Sequence, residues 1–481
     1  MPKVDYEHPA YKTNLPCWEQ IEDCLKGDRW IKKQGDKYLP RPNPSDESDE
    51  NKERYKQYIQ RAVFYNFTGR TLAGLVGQVF AKPPVIETDN LLETVTGDAD
   101  GAGVSLLQQS KAALAAVMSK GRGGLFVDYP ETEGPATIEQ QEAGAVRPNI
   151  IFHEPESIIN WRTIRQGARN LLSLVVIKEN YNNDDDGFGY VVKPQIRALR
   201  LVDGIYTVQI WQKQSDEKEA GEYSLINEFV PTDSSGLPLR EIPFQFIGWE
   251  NNDPTPDLPP LYDLSVLNVG HYRNSADYEE SVYMVGQPTP WFAGLTREWV
   301  DEVLEGTIQL GARAAVPLPE GASAGLLQAS PNTLPKEAME HKEKQAIAIG
   351  AKLVEARAVQ QTATEAGINN ASETSVLSSG ANNVTSAYVR ALKWCVLFMG
   401  ASDKFEFELN TDFEIHRLSP QDAQALLAMW QGEGISWEEY RFNLKRSKIA
   451  YLEDEVAKAQ IEAENPIDDS SIDVEPDQDE E

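Results

Sequence analysis

The sequence predicts an α+β fold, in which strand-rich and helix-rich regions are largely separated along the chain. Three observations favour this class. Between residues 147 and 246, short β-branched and aromatic runs are separated by turn signals. Helical patterns precede and follow this region. Two long helical runs, 261–284 and 336–357, enclose a small insert of mixed pattern.

Length and charge limit the possible functions. A chain of 481 residues is long for a single core, so two or more structural regions are expected. Its 45 Lys and Arg face 76 Asp and Glu, a net charge of −31. Residues 461–481 contain ten acids and no base, so the remainder still carries −21. Such a chain will not coat nucleic acid by neutralising phosphates, and any contact with DNA should be transient.

The sequence contains no recognisable catalytic or metal-binding motif. Cys17, Cys24 and Cys395 lack the CxxC spacing and neighbouring histidines, so we expect neither disulfides nor a zinc site, and a reducing compartment. The five histidines lack metal-ligand spacing, and nucleophile-elbow, zinc-protease and phosphate-loop motifs are missing. There is no apolar signal segment and no run of 18 apolar residues. We therefore expect a soluble intracellular protein that is not an enzyme and has no cofactor.

The N-terminal part is predicted to be helical. Its aromatic residues at three- and four-residue steps resemble a stacking platform for nucleic acid, but their helical period favours core packing. A Pro-rich acidic connector, 38–50, separates the first two helices, and Pro83-Pro84 ends the second. The predicted helices are Trp18–Leu25, Asn51–Phe80 and Leu106–Met118.

Strands dominate the following region. Gly121–Gly124 is interpreted as a turn, because a phosphate cradle needs its glycines after a strand rather than before one. The acidic stretch Asn182–Asp186 lacks the spacing of a calcium loop and is interpreted as a solvated loop. The predicted strands are Leu125–Tyr129, Asn149–His153, Leu171–Glu179, Gln195–Leu201, Tyr206–Trp211, Tyr223–Phe229 and Ile242–Ile247.

The middle of the chain carries the two long helices and the insert. Helix Leu261–Met284 follows a Pro-rich connector and ends at Gly286. The insert is predicted to contain a short helix, Arg297–Leu304, and a strand pair near Ile308–Leu318. The second helix, Lys336–Arg357, consists of strong helix formers and one glycine.

An amide- and hydroxyl-rich stretch, 358–372, follows the second long helix and has almost nothing to bury. A helix is predicted from about Glu373 to Met399, and Gly400 stands where a left-handed C-terminal residue is expected. From about Ala463 the acidic end is predicted to be disordered. The remaining predicted elements are strands Phe405–Leu409 and Phe413–Ile415, a helix from Ser419 to Met429, and a helix Trp437–Leu444 with a Ser436/Glu439 capping box.

This order of parts resembles the portal proteins of tailed bacteriophages, the head-to-tail connectors, over roughly residues 50–450. The segment from Glu53 to Pro84 is similar to the N-terminal wing helix of that family. Ile242-Pro-Phe-Gln-Phe, the connector and Leu261–Met284 resemble its passage from wing to stem. The segment Gln360–Ser372 falls where the family has a tunnel loop, and Ala423–Leu444 resembles the part that follows the long wing helix.

The resemblance implies a portal-type subunit with an α/β wing, a two-helix stem, a small α/β clip, a tunnel loop and a short helical crown. The implied partners are further copies of the chain in a dodecameric ring, double-stranded DNA in the channel, terminase, a head–tail adaptor, and major capsid or scaffold protein, with no membrane. The implied location is the capsid vertex of the virion, and the host cytoplasm during assembly. The implied ranges are wing 1–256 and 373–410, stem 257–285 and 333–357, clip 286–332, tunnel loop 358–372, crown or C-terminal helical region 411–460 and acidic tail 461–481.

Candidate DNA-contacting residues lie on the second stem helix and in the loop. Residues 335–357 have a local charge of +1 on a strongly acidic chain, although pairs such as Glu340–Lys344 would occupy part of it. Loop amides can donate hydrogen bonds to phosphates without adding charge. The candidates are Lys336, Lys344, Lys352, Arg357, Gln360, Gln361, Asn369 and Asn370.

Two alternatives stay open on the sequence. Another virion structural protein, such as a capsid or adaptor protein, would also be acidic and poor in motifs. A metal-dependent nucleic-acid enzyme needs only carboxylates, which this chain has in excess.

Overall fold

The computed structural model describes residues 3–464, apart from 89, 131–145, 184–186, 214–222, 287–288, 306, 309–315, 328–331, 353–375, 412, 414–419, 433, 448 and 453. Helices and open sheets combine in an α+β fold, as predicted. The chain forms two compact units, Met1–Thr411 and Asp412–Glu481.

Six helices and a short strand form the N-terminal part of the larger unit. The first helix begins nine residues before its predicted start, because Pro9 occupies a first-turn position and the His8 ring accepts a hydrogen bond from Ala10 N–H. A single 3₁₀ turn, Gly35–Lys37, follows the second helix. The elements are α1 (Pro9–Leu25), α2 (Asp28–Gln34), α3 (Asp49–Arg61), α4 (Phe67–Val79), β1 (Val85–Glu87), α5 (Asn90–Gly97) and α6 (Leu106–Lys120).

The helix predicted over 51–80 is wrong in one respect, because it is divided into α3 and α4. Residues 62–66 between them have no helical structure. The N–H of Val63 donates to Ser275 Oγ at 3.0 Å, and the Asn66 side chain caps the start of α4. Tertiary hydrogen bonds and a local cap therefore override the helical period here.

A three-stranded antiparallel sheet lies at the centre of the larger unit, in the order β3-β2-β9. Gly121 (φ 74°) ends α6 in the left-handed region, as a turn glycine should. The turn predicted through Gly124 is wrong, because β2 already begins at residue 122. A Cβ on Gly124 would lie 2.3 Å from Phe244 Cζ, so glycine gives that ring its space. The strands are β2 (Arg122–Asp128), β3 (Asn149–His153) and β9 (Phe244–Gly248).

Five further strands form a second antiparallel sheet in chain order, β4 to β8. The first of them was not predicted, because its second half carries exposed polar residues beside one exposed isoleucine. The strands are β4 (Ile158–Gln166), β5 (Arg169–Asn183), β6 (Val191–Val202), β7 (Ile205–Lys213) and β8 (Tyr223–Phe229).

Two long helices enclose the insert, as predicted. They are α7 (Tyr262–Gly286) and α9 (Leu334–Lys352). The insert contains β10 (Thr289–Ala293), α8 (Arg297–Glu302) and β11 (Ser323–Leu327). The described strand pair joins β10 to β11, and the strand pair predicted near 308–318 lies mostly outside the described residues, which omit 309–315. Gly325 has no side chain, which lets the Trp291 ring lie against it.

Helix α10 (Val376–Met399) forms much of the core of the larger unit, with twelve buried residues packed against α6, β2 and β9. The Tyr388 hydroxyl donates to Gln109 Oε1 at 3.1 Å inside this core. Gly400 has φ 66°, which confirms the left-handed position that the sequence predicts. The following strand, β12 (Glu406–Glu408), pairs with β1.

The smaller unit is helical in its described part. Its helices are α11 (Pro420–Gln431), α12 (Trp437–Arg446) and α13 (Asp454–Glu464). Trp430, Trp437 and Tyr440 form an aromatic cluster with ring centroids 5.1–6.1 Å apart. The capping box at Ser436 and Glu439 is confirmed. The predicted disorder of the acidic tail 461–481 is wrong at its start, because α13 continues to Glu464, and the rest of the tail lies outside the described residues. The predicted strand 413–415 also lies mostly outside them.

Candidate nucleic-acid interface

The candidate interface lies on the pair formed by α7 and α9. With 25 and 19 residues, these helices are about 37 and 28 Å long at ~1.5 Å per residue. Strand β10 begins soon after α7 and pairs with β11, which lies shortly before α9. The end of α7 and the start of α9 are thereby brought together, so the two helices run in opposite directions.

Side chains near the middle of each helix hold the pair together. Lys342 Nζ donates to Asn274 Oδ1 at 2.6 Å, and His271 Nε2 lies 3.3 Å from Glu343 Oε1. A Cβ on Gly270 would come within 3.2 Å of the Lys342 side chain, so glycine permits the close approach. Burial lowers the pKa of His271, although the Glu343 carboxylate opposes this shift.

Helix α7 is fastened to the N-terminal helices. The Tyr58 hydroxyl donates to Asp277 Oδ1 at 2.6 Å, Arg61 pairs with Glu280, and Arg273 Nε donates to the Tyr38 carbonyl at 2.8 Å. Burial, with the Asp277 hydrogen bond, raises the pKa of Tyr58. The α9 helix is therefore held through α7, which is itself firmly attached.

Helix α9 is otherwise open to solvent. Among its side chains described, residues 334–350, only Ala346 is buried. Lys336 and Lys344 are both exposed on this helix, as the prediction requires. The Glu340 carboxylate lies 3.8 Å from Lys336 Nζ, rather than pairing with Lys344 as the sequence suggested. Exposed pairs of this kind contribute little stability, about 0–1 kcal/mol.

The remaining candidate residues lie at or beyond the end of the described helix. Lys352 is the last residue of α9, and its side chain is not described. The structure therefore brings Lys336 and Lys344 onto one exposed helix and leaves the loop candidates as predictions. The candidates outside the described residues are Arg357, Gln360, Gln361, Asn369 and Asn370.

Sequence reasoning missed Arg273 on α7, and it counted Lys342 on α9 in the charge of that helix without naming it as a candidate. Arg273 is exposed, and Lys342 is tied to Asn274. Arg273 lies seven residues after Val266, and both line the same groove between α7 and α9. The seven-residue spacing is the signal that could have placed Val266 and Arg273 on one face of α7.

Other charged residues of the larger unit hold its core together. Lys120, whose side chain is 5% exposed, lies 2.8–3.1 Å from the carboxylates of Glu22, Glu154 and Glu156. Burial opposes the charge of Lys120, but the three carboxylates outweigh it and raise the lysine pKa. The Arg122 guanidinium lies 4.1 Å from the ring centroids of both Trp161 and Phe246, and burial lowers its pKa to about 9, so it stays charged at neutral pH.

Within the described ranges, no group of three or more His, Cys, Asp or Glu side chains is placed to hold a metal ion. Cys24 and Cys395 are buried and Cys17 is partly exposed; all three are free thiols. None of the helices described combines the length and apolar composition required to cross a membrane.

Comparison with known proteins gives a match to one family model and matches to solved structures, one of which is described here. Residues 260–399, from just before α7 to the end of α10, match a domain of unknown function, DUF4055. The solved structure is a chain of the virion of a native gene transfer agent (GTA) particle, at 16% identity and a TM-score of 0.40. The match covers 79% of this chain and 89% of the chain from the GTA particle. No curated protein matches.

A likeness at this TM-score carries no functional argument. That the chain is a portal protein stays a prediction, as do its domain boundaries.

Proposed function

We propose that this chain is a virion structural protein of the portal type, which assembles as a ring of about twelve copies at a capsid vertex and lets double-stranded DNA pass during packaging and ejection. The observation that carries the proposal is α9, a 19-residue helix with one buried residue among its described side chains. A helix that buries so little within its own chain gains stability from neighbouring copies.

The nearly balanced charge of α9 fits a channel surface past which DNA can move without being held. Between residues 334 and 352 there are four lysines and three glutamates, giving +1, on a chain of net charge −31. A strongly basic lining would hold DNA, because each phosphate contact adds affinity. A few exposed lysines on an acidic background give weak and repeated contacts instead, which suits translocation.

In this proposal the α7/α9 pair is the stem, the insert with β10, α8 and β11 is the clip, and the loop 358–372 faces the channel. The partners would be terminase, a head–tail adaptor, and capsid or scaffold protein, and the location would be the virion vertex. The chain would act without catalysis; metal-dependent cleavage of DNA, lost on substitution of a single carboxylate, would argue for an enzyme instead.

Electron microscopy of the negatively stained, purified chain tests the proposal directly. We expect rings with a central hole, together with a mass of about a dozen chains by light scattering. A monomer at several salt concentrations, or a closed particle without a hole, would refute it.

A further inference from the structure

An open groove runs along one flank of the α7/α9 pair and has a volume of about 680 Å³. Its floor is largely apolar, and Val266 within it is 47% exposed. A Cβ on Gly270 would lie 3.2 Å from the Lys342 side chain, so glycine leaves room for that side chain beside the groove. Apolar surface facing solvent in this way costs free energy in the single chain. The floor residues are Val266, Leu267, Gly270, Ala348 and Ile349.

The opposite flank of α9 carries an exposed apolar projection. Successive residues of a helix turn by about 100°, so Ile347 points about 200° away from Gln345, which lines the groove. Ile347 is 73% exposed. Glu340, seven residues earlier, points within about 20° of the same direction. One helix therefore offers a groove on one flank and a projection on the other.

This arrangement decides what kind of partner fits. A two-fold dimer would bring one patch against its own copy, whereas a projection and a groove on opposite flanks fit a head-to-tail contact. Repetition of a head-to-tail contact closes into a ring or continues as a filament. A second copy of this chain is therefore the occupant that matches both surfaces.

Charge agrees with the same pairing. Arg273 and Lys342 lie at the rim of the groove, and Arg273 uses Nε for the Tyr38 carbonyl while its charge stays at the exposed rim. The projecting flank carries Glu340, whose contact with Lys336 is long and exposed. Exchanging that weak pair for a contact with Arg273 costs little, since exposed ion pairs contribute about 0–1 kcal/mol.

We propose that the groove between α7 and α9 of one copy receives the α9 flank of the next copy, with Ile347 over the apolar floor and Glu340 facing Arg273. The inference rests on the proposed ring and names a contact that builds it. Because each helix pair both gives and receives, every copy contributes one groove and one projection.

Chemical cross-linking tests the geometry. In a Cys17→Ala background, which leaves two buried cysteines, Ile347→Cys and Val266→Cys are combined in one chain and treated with a short bismaleimide. We expect a ladder of covalent oligomers on denaturing gels, and only monomer from either single variant. Dimers from Ile347→Cys alone would indicate a two-fold contact and overturn the inference. Rings seen by electron microscopy without a ladder would also overturn it, while leaving the proposed function intact.

A charge exchange tests the energetics. Glu340→Arg and Arg273→Glu should each raise the concentration at which rings dissociate by about tenfold, and the double variant should return to within about threefold of the native chain. Glu337→Arg is the matched control, because it makes the same charge change on α9 one turn before Glu340 and about 60° around the helix from it, at a residue that is not part of the proposed contact. No recovery in the double variant, or an equal effect of Glu337→Arg, would refute the pairing. A native chain that forms no ring would count against the proposed function.

Discussion

Acid should weaken the larger unit through His153, a histidine on β3 that is 8% exposed. Its Nε2 atom has no hydrogen-bond partner in the described structure. Burial lowers its pKa from 6.5 to about 4, with Arg197 acting in the same direction and Glu179 against it. The unfolded chain therefore binds more protons between these values. The contribution of His153 to the free energy of unfolding is fully present above pH 6.5 and is lost as the pH falls toward 4.

The size of the loss follows from the shift. A difference of 2.5 pKa units, at 1.36 kcal/mol per unit, gives about 3 kcal/mol. Such a loss is a large part of the stability of an ordinary domain, about 5–15 kcal/mol.

The measurement compares the native chain with His153→Leu, which fills the buried site with an apolar side chain that cannot titrate. Urea unfolding at pH 7 and pH 4 is followed by tryptophan fluorescence. We expect the native chain to lose about 3 kcal/mol more than the variant over this interval. Carboxylates with lowered pKa, such as Asp23, affect both chains equally and cancel in the difference. Parallel pH profiles for the two chains would refute the reasoning.

Three further outcomes are expected. Gly124→Ala should destabilise the larger unit by about 1–3 kcal/mol in urea unfolding, because its Cβ would meet Phe244, whereas Gly74→Ala in the open face of α4 should stabilise it by about 0.5–1 kcal/mol; equal effects would contradict the packing argument. Deleting residues 359–371 should leave rings intact by electron microscopy but abolish DNA packaging; loss of the ring would contradict the assignment of the loop. Lys344→Glu should reduce packaged DNA several-fold without changing the mass of the ring, and unchanged packaging would remove Lys344 from the channel surface.

Elements whose residues carry a strong local signal were predictable from sequence. The α7 helix, the β3 and β8 strands and the capping box at Ser436 rest on periodicity or on one cap, and the structure has them where the sequence places them. The break between α3 and α4 was not predictable from the local Asn66 cap alone, because it also depends on a hydrogen bond from Val63 N–H to Ser275 Oγ, more than 200 residues away. The turn predicted at Gly124 was wrong for a similar reason, since the Phe244 ring that this glycine accommodates lies on another strand.

The candidate site was predictable in its helix but not in its surroundings. Residue types alone were enough to predict that the lysines of α9 lie on an exposed helix, since lysine and glutamate favour such a helix. The groove required knowledge of which faces of α7 and α9 meet, and that depends on Gly270 and on the Lys342–Asn274 hydrogen bond. Amphipathic spacing shows that a face exists, but not which neighbour covers it.

The connector before α7 makes a mechanical link across the larger unit. Asn252 Nδ2 donates to the Asn383 carbonyl at 2.9 Å, and Asn383 Nδ2 donates back to the carbonyls of Gly248 and Trp249. Asn383 lies near the start of α10, eight residues after the undescribed stretch 353–375 ends. The segment 353–375 follows α9 directly, and at its other end α10 is hydrogen-bonded through Asn383 to the connector before α7. A force on this segment would therefore be transmitted to α9 at one end and to the start of α7 at the other.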